Sequence, residues 1–120
     1  MSLPDVPEVY ARPTTYDVSV FPDEIRDEPQ FYGEPEHWVV RVEWRGRGTW
    51  AVIHGGSCLG TDGEWDWEPR PSSREDDWLA AHRFSLDDAL ALAREHAPGV
   101  RVNGHSAVDV LAKYRARLAR

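Results

Sequence analysis

From His37 to His54, apolar and polar residues alternate on both sides of a short turn, Gly46-Arg47-Gly48. Trp38, Val40, Val42 and Trp44 share one parity, and Val39, Arg41, Glu43 and Arg45 the other. A period of two belongs to a strand with one buried face, because successive side chains in a strand point to opposite sides. Two such runs joined by glycines predict an antiparallel hairpin, with Trp50 and Val52 opposed to Ala51 and Ile53. Everything else in the chain has to cover the tryptophan-rich face of that hairpin.

The six tryptophans, Trp38, Trp44, Trp50, Trp65, Trp67 and Trp78, all fall within this region and the residues just after it. Ahead of the hairpin, residues 1–14 hold Pro4, Pro7 and Pro13 among acids, a composition that predicts an extended arm. Tyr16, Val18 and Val20 alternate with Asp17 and Ser19 as a first strand, and residues 23–36 read as a surface loop or one short helical turn, the segment expected to move most. Gly55-Gly56-Ser57 breaks the hairpin, Cys58-Leu59 starts a short strand, and Thr61-Asp62-Gly63 turns into Glu64-Trp65-Asp66-Trp67-Glu68. The short connections predict a meander of four to five antiparallel strands.

Pro69 and Pro71 end the sheet, and three helices are expected over residues 74–82, 86–97 and 106–118. Ser72-Ser73 ahead of acids, Ser85 with Asp88, and Ser106 with Asp109 are the capping signals. Val100 to Val102 is expected as a small edge strand before Asn103-Gly104. The fold class is therefore α+β, an antiparallel meander packed on one face by two or three C-terminal helices, in one domain spanning residues 15–120.

The lone Cys58 excludes an internal disulfide framework, and no apolar run reaches the ~20 residues of a membrane span. A soluble, cytoplasmic protein without a secretion signal is expected. Net charge is −7, but unevenly placed: residues 1–36 carry nine acids against Arg12 and Arg26, while residues 105–120 carry one acid against Lys113, Arg115, Arg117 and Arg120. An acidic surface repels a phosphate backbone, which argues against nucleic-acid binding.

Candidate chemistry is thin. His37, His54, His82, His96 and His105 show no metal-ligand spacing, so neither a metal nor another cofactor is expected. Gly55-Gly56 lacks the Lys and helix of a phosphate loop. Cys58 lies four residues after His54, a conceivable nucleophile and base, yet a thiol at a strand start reads first as a buried, inert one. Glu64, Asp66 and Glu68 read as a solvated strand face. The richest neighbourhood is Trp65, Trp67, Arg70, Ser72, Ser73, Arg74, Trp78, His82 and Arg83, where aromatic faces, guanidiniums and a helix start could receive an anionic or aromatic ligand or a partner's acidic side chain.

The elements Trp50-Ala51-Val52, Cys58-Leu59, Asp62-Gly63-Glu64-Trp65, Glu68-Pro69, Pro71-Ser72-Ser73-Arg74, Trp78-Leu79, His82-Arg83-Phe84 and Val102-Asn103-Gly104 resemble a pattern in small uncharacterised proteins of actinobacteria and their phages. The resemblance spans about residues 38–112, implies a phage or mobile-element setting, and transfers no catalytic residue. The function expected from the residues is a non-enzymatic protein-binding accessory or regulatory domain. The alternatives are an acidic mimic of nucleic acid that inhibits a basic partner, and a small enzyme with a cleft near Cys58 and His54.

Overall fold

The computed structural model describes residues 6–27 and 34–119. Five strands, β1 (Thr15–Val18), β2 (Val40–Gly46), β3 (Thr49–His54), β4 (Ser57–Leu59) and β5 (Trp65–Trp67), form one sheet in sequence order. Every neighbouring pair is antiparallel, the meander that short connections dictate. Arg47 and Gly48, with φ of 53° and 72°, make the β2–β3 turn, whose backbone suits the right-handed twist of the strands. The register shifts between Trp44 and Gly46, so a bulge falls at Arg45.

Parity sorts the two faces as the sequence predicts. Val42 pairs with Val52 and Tyr16 with Val42, and this side meets α3 (Leu86–His96) and α4 (Ala107–Leu118). Ala89 and Ala93 of α3, and Ala97 in the 3-10 turn that follows it, recur every four residues and are buried, so the helix backbone can lie close to the sheet. Val110 and Tyr114 of α4 complete the core. Ser85 and Ser106 cap these helices, accepting from the Asp88 and Asp109 amides. Arg101–Val102 (β6) and His105–Ser106 (β7) form a separate small hairpin where an edge strand was expected.

Three features depart from the sequence reading. Trp38 lies in a 3-10 turn, Pro35–Trp38, ahead of β2, yet its ring is fully buried and meets Phe21 edge-on at 5.7 Å. The short helical turn that residues 23–36 allow forms as α1 (Asp23–Arg26), but it is not confined to the surface and buries Ile25 in the core, while residues 28–33 lie outside the described ones. The first of the three expected C-terminal helices, α2 (Asp76–Ala81), is shorter than its expected span and takes no side-chain cap. Pro71–Ser73 forms a 3-10 turn instead, and Glu75 precedes the helix. Moreover, α2 lies on the opposite face of the sheet from α3 and α4, where Trp78 packs on Ala51, Ile53 and Cys58.

Candidate functional site

The second face of the sheet is where charge collects. Chain direction sets it up: after β5 the backbone crosses beneath Ala51, Ile53 and Cys58, carrying Glu68, Arg74, Trp78, His82 and Arg83 with it. Reciprocal backbone bonds between Trp50 and Phe84, at 2.8 and 2.9 Å, fasten the end of this crossing to β3. Phe84 thereby joins the main core, and Arg83, one residue earlier, turns to the second face.

Glu68 is the hub. Its side chain is only 13% exposed; Oε1 accepts from Arg45 at 2.8 Å and lies 3.1 Å from an Arg74 nitrogen, and Oε2 lies 3.6 Å from Arg83. Glu43 holds the other end of the Arg45 fork at 2.9 Å. Arg74 also donates Nε–H to the Pro69 carbonyl at 2.8 Å, and Arg83 donates to the His82 carbonyl at 2.9 Å. Behind Arg83 the rings of Trp78 and His82 stack at 4.1 Å, and the guanidinium lies 5.3 Å from the Trp78 ring centre. Both ring nitrogens of His82 face oxygens, the Trp78 carbonyl at 2.8 Å and the Asp66 carboxylate at 2.9 Å, which fix the ring in place.

Above this cluster opens a cavity of about 450 Å³ lined by Arg45, Arg47, Arg74 and Arg83, with Pro71, Leu79 and Ala80 as apolar wall. The electrostatics are uneven. Burial works against the charge on Arg45, but Glu68 and Glu43 outweigh it and the guanidinium holds its proton more tightly than usual. At Arg83 burial wins, helped by repulsion from Arg45 and Arg74 and opposed by Cys58 and Glu68, so proton affinity falls. Four arginines line the cavity and two carboxylates, Glu43 and Glu68, engage them.

Of the expected neighbourhood, Arg74, Trp78, His82 and Arg83 come together. Trp65 does not: it faces the α3 side, edge-on to His54 and His96. Trp67 stands at the sheet edge, 76% exposed, and covers Gly56, whose added Cβ would meet its ring at 2.2 Å. Arg70, Ser72 and Ser73 are exposed and do not line the cavity. Sequence reasoning missed Arg45 and Arg47, and it placed Glu68 on a solvated face, where the structure buries it among three arginines. Arg45 shares parity with Glu43, a signal for this face; Arg47 occupies a left-handed turn position that usually takes Asn or Gly. Asp66 is about half exposed, as that strand reading requires, though it is tied to His82.

Cys58 and His54 lie on opposite faces, since Cys58 pairs with Ile53 and His54 with Ser57. Burial, reinforced by Glu68 and only partly opposed by Arg83, pushes the thiol up to about 11. The folded thiol therefore holds its proton more tightly than an unfolded one. The stability this contributes is whole below the ordinary thiol value of 9.0 and is lost as pH rises through about 11. Cys58 is expected to resist a thiol-specific disulfide reagent at pH 8 in the native protein and to react at once in denaturant. Rapid native labelling would show an accessible thiolate instead.

Among the described residues no group of three His, Cys, Asp or Glu could hold a metal ion, and no helix is long and apolar enough to cross a membrane. No protein-family model, curated protein or solved structure matches the chain.

Proposed function

We propose that the chain is a non-enzymatic protein-binding domain that receives an anionic group of its partner in the arginine-lined cavity beneath the sheet. The observation that carries this reading is that four arginines line one cavity in a chain of net charge −7. Guanidinium forks pair with planar oxyanions through two parallel hydrogen bonds, and they keep their protons at any ordinary pH, which suits binding better than proton transfer. Glu68, Glu43 and the Pro69 carbonyl hold three of the forks in position, so little side-chain freedom is lost when a ligand arrives. The enzyme reading drew on Cys58 and His54, which face apart, and a thiol that keeps its proton is a poor nucleophile. The phage or mobile-element setting belongs to the same proposal.

The acidic-mimic reading draws on residues 1–36 and on the acids of the Glu64–Glu68 strand, so charge changes in the first of these and at the cavity separate the two readings. Tagged protein is used to capture partners from host lysate. Arg47→Glu is expected to abolish capture, while a variant with Asp23, Glu24, Asp27, Glu34 and Glu36 changed to their amides keeps it. The reverse pattern would replace this reading by the acidic mimic.

A further inference from the structure

We infer that the anionic group held in the arginine-lined cavity is a phosphate monoester dianion on a side chain of the partner, an inference that rests on the docking reading above. Charge balance is the first argument. Arg45, Arg47, Arg74 and Arg83 line the cavity, and the carboxylates engaged with them are Glu43 and Glu68, which leaves a surplus of two positive charges. A dianion matches that surplus, whereas a carboxylate would match only half of it and leave Arg47, exposed at the rim, without a counterpart.

The second argument is the position of Arg47. Arg47 lines the same cavity from a turn position with φ of 53°, where a side chain other than Asn or Gly is held at a conformational cost. A residue that stands against local preference at the rim of a cationic cavity fits a role in binding.

Size is the third. At about 450 Å³ the cavity falls in the range of small-ligand sites and is several times larger than a phosphate group needs, so it admits the carbon atoms that carry the phosphate. Pro71, Leu79 and Ala80 provide an apolar wall for them.

Calorimetry tests this with four probes: degenerate peptides carrying a central phosphoserine, the same library with glutamate, glycerol phosphate, and inorganic phosphate. The phosphoserine library is expected to bind at least about tenfold more tightly than the glutamate library and than either small phosphate. Arg47→Asn is expected to remove that advantage. Because Asn relaxes the left-handed turn, the same variant should raise the urea midpoint, which separates lost binding from lost folding. Equal binding of the two libraries would overturn the phosphate inference and leave the docking reading standing. Glycerol phosphate binding as tightly as the phosphopeptides would keep the phosphate chemistry but overturn its protein source, and the docking reading with it. Binding of no phosphate probe, with lysate capture still dependent on Arg47, would overturn the inference alone.

Discussion

Glu68→Gln is expected to lower the unfolding free energy by about 3–5 kcal/mol, read from urea denaturation. The substitution keeps the shape of the side chain but removes its charge and turns one acceptor oxygen into an NH2 donor among guanidinium donors. Three guanidiniums then share a poorly hydrated space with no anion among them except Glu43, which touches Arg45 alone. Two charges 4 Å apart at an effective dielectric of ~20 repel by about 4 kcal/mol, and relaxation of Arg45 toward water reduces that figure without cancelling it. Replacing Arg83 by Met together with Glu68→Gln should cost less than the sum of the two single changes, because the pair is removed with its mutual compensation. A loss below about 1 kcal/mol for Glu68→Gln would mean that water already neutralises the cluster, as it does for exposed ion pairs.

The same residue shows where sequence reasoning stops. Parity placed Glu68 with Glu64 and Asp66 on the side of the sheet away from the tryptophans, and that side is correct. Parity says nothing about what covers that side, and the segment that does is headed by two prolines whose path is set by tertiary contacts: Trp78 on Cys58, and Phe84 bonded to Trp50. The hairpin, the meander order and the Ser85 and Ser106 caps were legible because each is decided within a few residues. Arg74, Trp78, His82 and Arg83 were legible as a neighbourhood because one short segment carries them all. Arg45 and Arg47 come from a hairpin tip almost thirty residues earlier, and no local rule joins a turn to a distant helix. Trp65 was drawn into the neighbourhood by its nearness in sequence to Trp67 and Arg70, although its own strand parity already assigned it to the α3 face.

A tryptophan-to-alanine series is expected to split the six rings into two classes, with Trp38 and Trp67 at the extremes. Trp38→Ala should cost about 3–5 kcal/mol, since the ring is completely enclosed and alanine leaves a cavity between Phe21, β2 and the helices that rigid strands cannot close. Against a total stability of about 5–15 kcal/mol, that loss brings the protein close to unfolding at ambient temperature. Trp67→Ala should cost no more than about 1 kcal/mol, because most of its ring faces water and its chief contact is the backbone of Gly56 at the sheet edge. Trp44, half exposed at the far end of β2, belongs with Trp67. Urea midpoints measure both stability effects, and lysate capture reads whether Trp67→Ala also changes partner binding. A ring that contributes little to folding and stands in water is one whose removal can alter partner binding without altering the fold. If Trp67→Ala retains the fold and still captures the partner, contact is confined to the arginine cavity on the second face. If it retains the fold and loses the partner, the interface wraps the β5 edge and joins both faces.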